Sequence, residues 1–476
     1  MSKTAVKSGH PKGLYLLFFT EMWERFSYYG MRAILILYLT KSYIEGGLSI
    51  DPTYAPILYG NFTGLVYFTP LIGGWLADKY LGQRNAITIG GILMMFGQFT
   101  LFAINTHTGL YIGLFLLIIG NGFFKPNIST LVGGLYKAGD ERRDSAFSIF
   151  YMGINLGALL APLVIGVLTD NIFATRGEHG EIVAYGYRYG FLAAGIGMLL
   201  GQILFNTYAQ KYLGNLGKRP ANKSILEVEE ETVVERGIMP QHAEAVKEEE
   251  NKITPKQSRD RVTVIFILVC FAIFFWAGFE QAGSSLSLYT DKFIDRTITI
   301  LGWTWEIPTA FFQSVNPLFI VLLAPLFAGF WNSRLGKKLT TPVKMGLGMV
   351  ILGIGFFFML GAVAERGGDV ADVAIKANVM WLIMTYLIHT IGELCLSPVG
   401  LSVVTKLSPP KLASLLMAVW LLSSFVANIM GGQLASVVEE LGAGTIFLYI
   451  SIFVICCGLL LILLSKRILS MMHGVR

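Results

Sequence analysis

Twelve stretches of roughly twenty apolar residues follow one another along this chain, and few architectures admit that pattern. They lie near 14–39, 55–77, 84–105, 109–135, 145–169, 188–210, 262–287, 308–330, 343–363, 377–404, 412–438 and 444–466. Each is long enough to cross the hydrocarbon of a bilayer. In lipid every backbone N–H and C=O needs a partner within the protein, so a spanning segment is a helix or part of a closed barrel. These runs are too long for barrel strands and lack a period of two, so they read as helices. Composition agrees: charged residues make up 14% of the chain and mean hydropathy is +0.60. A soluble domain carries about 25% charged residues. The expected fold class is therefore an all-α polytopic membrane protein with the lipid bilayer as its solvent.

The same reading limits the function classes. The first run carries Glu21, Glu24, Arg25 and Arg32 and has no small-residue cleavage site after it, so it reads as a mature span rather than a secretory signal. Cys270, Cys395, Cys456 and Cys457 all sit in apolar runs without metal-ligand spacing and read as small apolar fillers. The six histidines form no HExxH and no phosphate-binding GxxxxGK[ST] loop occurs, which argues against a metalloenzyme and against ATP drive. The expectation is a protein that is not an enzyme and has no cofactor. The net charge of +6 is explained by loops, not by nucleic acid.

Residues 211–261, with GKRPANK, EVEEE and KEEENK, are too polar to span and read as a hydrophilic linker, with a short surface helix at 225–236. The expected domains are an N-terminal six-helix bundle (1–210), the cytoplasmic linker (211–261) and a C-terminal six-helix bundle (262–476). With both termini inside, 27 of the 37 Lys and Arg fall on the inner side and 7 on the outer, which the positive-inside rule requires. A multi-pass protein of the cell (inner or plasma) membrane with both termini cytoplasmic is expected. The halves also echo each other. Pro70-Leu-Ile-Gly-Gly-Trp75 before Leu81-Gly-Gln-Arg84 matches Pro325-Leu-Phe-Ala-Gly-Phe330 before Leu335-Gly-Lys-Lys338. Gly120-Asn121…Lys125-Pro126 matches Gly392-Glu393…Ser397-Pro398. Spans two and eight, and four and ten, thus correspond. That six-plus-six repeat is the major facilitator architecture, whose sites lie between the halves near the midplane.

Charge inside a membrane is costly and usually faces a wet cavity with a function. On the first span Glu21, Glu24, Arg25, Tyr28, Tyr29 and Arg32 fall within an arc of roughly 140° at 3.6 residues per turn. Glu21 and Arg25 are four apart and can pair, and Glu24 can reach Tyr28 or another helix. A buried ion pair that only fixes packing is the alternative. Trp276, Glu280 and Ser284 are spaced by four on the seventh span. Lys125 of the first half and Glu280 of the second suggest a cross-half pair whose carboxylate, once protonated, would release the lysine. His389 reads as a structural group, and Asp78 and Arg84 as gating or topology residues.

These residues carry a resemblance. Glu21-x-x-Glu24-Arg25-Phe26-x-Tyr28-Tyr29-Gly30 resembles the ExxERFxYYG motif of the proton-dependent oligopeptide transporter family of the major facilitator superfamily. Phe124-Lys125-Pro126-Asn127 resembles its FKPN segment. Phe150-Tyr151-Met-Gly-Ile154-Asn155-Leu-Gly157 resembles FYxxINxGS, with Ala158 in place of Ser, and Gly392-Glu393-Leu394…Ser397-Pro398 resembles GEL…SP. The resemblance implies proton-coupled import of di- and tripeptides by a monomer through alternating access. It implies that Arg32 and Lys125 hold the peptide carboxylate and that Glu393, Asn155 and Asn316 receive its amino group. Tyr28, Tyr29, Tyr67, Trp276, Trp420 and Ser424 would line side-chain pockets. Glu21, Glu24, Arg25 and Glu280 would couple the proton. Many bacterial members insert two further helices between the halves, where 211–261 is too polar for that. Animal members often place a histidine in the second span, where this chain has Tyr59-Gly60-Asn61-Phe62. A transporter of nitrate or another small anion on the same fold is the alternative; it would need a cation but no partner for an amine.

Overall fold

The structure is a computed structural model and describes residues 9–136, 140, 142–220, 254–300, 302–370, 372–409 and 412–474. Twelve long helices occur among the described residues. The first six are α1 (Lys12–Thr40), α2 (Ala55–Leu76), α3 (Gln83–Ala103), α4 (His107–Gly134), α5 (Arg142–Gly166) and α6 (Tyr187–Leu213). The second six are α7 (Pro255–Phe279), α8 (Val315–Asn332), α9 (Thr341–Glu365), α10 (Val379–Leu407), α11 (Ala413–Ser436) and α12 (Ala443–Met471). The twelve-span, all-α reading therefore holds. Ten of these regions are apolar enough to cross a membrane on length and composition alone. The charge-bearing α1 and the Gly- and Thr-containing α2 are the other two. Most of the expected linker 211–261, and all of its expected helix at 225–236, lies outside the described residues.

Local chemistry explains the helix ends. Helix α7 begins at Pro255, earlier than its apolar run, because Thr254 and Gln257 form a reciprocal capping box with proline at the first helical position. Thr106 caps α4 by accepting from Gly109 N at 3.2 Å, and Asn378 caps α10 by accepting from Met380 N at 2.8 Å. Helices α2 and α5 end in wider π-type turns, closed by Gly82 N donating to Ala77 O and Phe173 N donating to Leu168 O. Such turns reset the direction of the chain without a break in hydrogen bonding. The seventh span changes character at Glu280: a 3-10 turn (Glu280–Gly283) separates α7 from its continuation, Ser285–Phe293. The even spacing of Trp276, Glu280 and Ser284 on one α-helical face therefore does not hold. Ser284, at φ −125° and ψ −95°, has left the helix.

Short strands occupy the loops at the helix ends remote from the termini. β1 (Thr175–Arg176) pairs antiparallel with β2 (Ile182–Ala184), and β3 (Ile294–Asp295) pairs in parallel with β6 (Ala377–Asn378). β4 (Thr297–Ile300) and β5 (Trp303–Glu306) form a hairpin.

The sequence echo has a packing counterpart. A Cβ added at Gly120 of α4 would lie 2.6 Å from Gly90 O of α3, and one added at Gly392 of α10 would lie 2.8 Å from Gly348 O of α9. Without a hydrophobic drive between helices in lipid, such backbone contact between small residues is what brings helices together. The third–fourth and ninth–tenth pairs use it at matching positions.

By packing, the chain divides into two compact units. One comprises residues 1–31, 69–165 and 188–237 and contains the α3–α4 seam. The other comprises 32–68, 166–187 and 238–476, so the ends of α1 and α2 and the β1–β2 hairpin belong with the second-half helices. Its core includes Phe275, Phe356, Phe447 and Tyr386, all fully buried. There α2 meets α11 backbone to backbone: a Cβ at Gly60 would lie 2.6 Å from Asn428 O and 2.8 Å from the Cα of Gly432.

Candidate functional site

In the first unit, the polar face of α1 forms one buried ionic cluster. Arg25 Nη2 donates to Glu24 Oε1 at 2.7 Å, Arg25 Nε also meets Glu24 Oε2, and the same nitrogen lies 3.2 Å from Glu21 Oε1. All three side chains are buried. The guanidinium lies over the rings of Tyr28 and Tyr29, 5.4 and 5.9 Å from their centroids. Glu24 reaches α4 rather than Tyr28: Asn121 Nδ2 donates to its Oε1 at 3.4 Å. Gly157 of α5 is what lets that helix approach, since a Cβ there would lie 2.9 Å from Arg25 Cβ. Two carboxylates against one guanidinium leave one excess negative charge when all are ionised. Lys125, half-buried on α4, lies within electrostatic reach of Glu21 and offsets it. An uncompensated buried charge would cost several kcal/mol. Asn155 is buried on α5, where its amide donates to Tyr151 O at 3.0 Å.

The second unit holds a different set. Arg32, about two turns before the end of α1, forms an ion pair with Glu280 at the start of the 3-10 turn, and donates from Nε to Tyr59 Oη at 2.7 Å. Glu280, which the sequence suggests as a partner for Lys125, is engaged by Arg32 in this conformation, at the point where the helix gives way to the 3-10 turn. Arg32, expected as a carboxylate ligand, is accordingly bonded to a protein carboxylate and a phenol in this conformation. Gly283 seats Tyr59 against the turn: a Cβ there would collide with Tyr59 Oη and lie 3.1 Å from Arg32 Nη2. On α8 and α10, Asn316 Nδ2 donates to Glu393 Oε2 at 2.9 Å and to Thr390 Oγ1 at 3.0 Å. Trp276, Tyr67 and Ser424 are half-buried in this unit. Trp420 is buried in a slot over Gly400, where no side chain would fit beside its ring. His389 lies tilted against Phe356 and Phe279, with ring centroids 4.6 and 6.5 Å away, in an apolar setting.

Thus α1 carries two separate ionic groups, one in each unit. Three residues given no site role from the sequence take part: Asn121 bonds Glu24 and Tyr59 bonds Arg32, while Thr390 shares Asn316 with Glu393; their only signal was polarity inside an apolar run.

The family model described as the POT family matches residues 84–448. The chain belongs to the POT family. Relatives similar to it over nearly their full length include the uncharacterized transporter YclF of Bacillus subtilis, 38% identical over 98% of this chain and 96% of that one. A di-/tripeptide transporter of Lactococcus lactis is 32% identical over 98% of each chain. Among solved structures, a crystal structure of the peptide transporter POT in complex with sulfate superposes with a TM-score of 0.82. It is 35% identical and covers 98% of this chain and 97% of that one. The POT-family fold is the major facilitator arrangement expected from the repeat.

Proposed function

We propose that this chain is a proton-coupled symporter that imports di- and tripeptides across the cell membrane as a monomer, with both termini cytoplasmic. The observation that carries the reading is the Arg32–Glu280 pair, which ties α1 of the first repeat to the seventh span of the second. A pair of opposite charges across the repeats exists in one conformation and is broken in another, and protonating Glu280 removes half of it. Membership of the family and the di-/tripeptide transport named for the Lactococcus relative support the substrate class.

A peptide zwitterion is costly to desolvate unless each end meets opposite charge. Lys125, and Arg32 when released by Glu280, would take the carboxylate. Glu393, with Asn316 and Asn155, would receive the ammonium, and Tyr28, Tyr29, Tyr67, Trp276, Trp420 and Ser424 would surround the side chains. Once a peptide carboxylate neutralises Lys125, the Glu21–Glu24–Arg25 cluster loses its offsetting charge, and a proton restores the balance. Substrate and proton are then coupled through charge, with no cofactor and no bond made or broken in the substrate.

Competition tests the reading. Dialanine uptake into liposomes should be inhibited by unlabelled dialanine, weakly by N-acetyl-dialanine, and not by nitrate. Inhibition by nitrate, with N-acetyl-dialanine as effective as dialanine, would favour the small-anion transporter.

A further inference from the structure

We propose a second ligand site, for a small zwitterion such as an amino acid or short peptide, in a polar cavity at the helix ends remote from the termini. The cavity has a volume of about 240 Å³ and is lined by Asp170, Asn171, Arg176, Arg296, Trp305 and Glu306, with Ile182 and Thr304 at its edges. That volume is below the roughly 300–1,000 Å³ of sites for drug-sized molecules, and it suits an amino acid or dipeptide.

Its polar groups are of both signs and incompletely used. Arg296 is 5% exposed, with Nη2 on Glu306 Oε1 at 2.7 Å and Nη1 on Ile307 O at 2.7 Å, yet its buried Nε has no hydrogen-bond partner. The buried Oδ1 of Asn171 likewise has none. Arg176 donates to two carbonyls, Gly180 O at 2.8 Å and Asp170 O at 3.1 Å, and to no carboxylate among the described residues. Asp170 accepts from Thr169 Oγ1 at 2.6 Å through one oxygen. A buried donor or acceptor without a partner costs about 1–3 kcal/mol, and two residues that line this cavity carry one such atom each, a donor on Arg296 and an acceptor on Asn171. A carboxylate placed between Arg296 Nε and Arg176 would satisfy the donors. An ammonium beside Asn171 Oδ1 and Asp170 would satisfy the acceptors. A lone anion would face Asp170 and Glu306, and a lone cation the two guanidiniums; a zwitterion meets neither objection. Trp305 and Ile182 give it an apolar wall.

The walls come from different halves of the sequence: Asp170, Asn171, Arg176 and Ile182 from the segment between α5 and α6, and Arg296 and Thr304–Glu306 from the segment before α8. A ligand here staples the two segments together. On the alternating-access reading, from which the inference takes this consequence and its probe, occupancy holds that side shut. Excess dialanine then slows its own uptake.

The test is calorimetric titration of the purified protein with dialanine, together with the quenching of tryptophan fluorescence. Two binding events per chain are expected. Asn171→Leu, which replaces the acceptor with an apolar group of similar size, should weaken one of them at least tenfold, and Arg176→Ala should do the same. Glu393→Gln should weaken only the other. Uptake at high dialanine should fall in the wild type and plateau in Asn171→Leu. A single binding event untouched by both Asn171→Leu and Arg176→Ala would overturn the second site, whether or not dialanine is transported. Absence of transport with the Asn171-sensitive event intact would instead count against the peptide-transport reading and leave the second site standing.

Discussion

Replacing Glu280 with glutamine removes the charge that holds Arg32 while nearly preserving shape. The side chains of Arg32 and Glu280 are 13% and 11% exposed, so the pair is far from a surface salt bridge worth less than about 1 kcal/mol. Breaking a buried pair by removing one partner costs about 3–5 kcal/mol, because the remaining charge stays desolvated. Glutamine can still accept a hydrogen bond and Tyr59 still accepts from Arg32 Nε, which places the loss near the lower end, about 3 kcal/mol. At about 1.4 kcal/mol per tenfold, the conformation in which the two repeats are joined at this point loses about a hundredfold in relative population. The assay is paired in liposomes: accumulation of labelled dialanine driven by an inward proton gradient, and exchange of labelled for unlabelled dialanine with no gradient. Glu280→Gln should abolish the first and retain the second, since exchange needs binding and conformational change but no net proton movement. Gradient-driven accumulation at the wild-type level, with wild-type pH dependence, would refute the argument that this pair carries the coupling.

Other outcomes follow from the same geometry. Glu24→Gln should also uncouple uptake from the gradient, checked in the same two assays, because it leaves Arg25 with Glu21 alone. Gly60→Leu should prevent the α2–α11 contact at Gly432 and Asn428; a cysteine pair across that seam should cross-link in the parent and fail to do so in the variant. Gly120→Leu, at the α3–α4 seam, should cost at least the 1–3 kcal/mol typical of overpacking, read as a lower melting temperature. Lys41 is held above the ordinary lysine value of 10.5: burial pushes it down, but Asp291 at 2.8 Å outweighs this. Its pairing is therefore fully stabilising below pH 10.5 and is lost only as pH rises through the higher folded value. Lys41→Met should lower stability by about 1.5–3 kcal/mol at neutral pH, a difference that stays constant up to about pH 10 and shrinks above it.

Much of this was legible in the sequence because lipid imposes a coarse rule. A spanning helix needs its length and its apolar character locally, so most of the twelve helices could be read to within a few residues; α7 and the start of α8 were the exceptions. The charges on α1 stood out because nothing else in that run is charged, and the Gly120/Gly392 echo pointed to a seam that both repeats form. What could not be read depends on long-range contact. The 3-10 turn at Glu280 has only the Gly283-Ser284-Ser285 cluster as its local signal, which alone does not end a span. Arg32 and Lys125 offered Glu280 equal charge, and local sequence carries no information on which of two distant cations a carboxylate meets. The β4–β5 hairpin did leave a trace, since its strands alternate polar and apolar residues on either side of Gly302, but strands this short carry little weight beside twelve spans.

The central claim is that a proton gradient drives peptide entry through this chain. The most direct test is uptake of labelled dialanine by the purified protein in liposomes, acidic outside and neutral inside, against a control without the gradient. The account predicts accumulation above the external concentration with the gradient and mere equilibration without it. Uptake that ignores the gradient, or no uptake of dialanine under either condition, would contradict it.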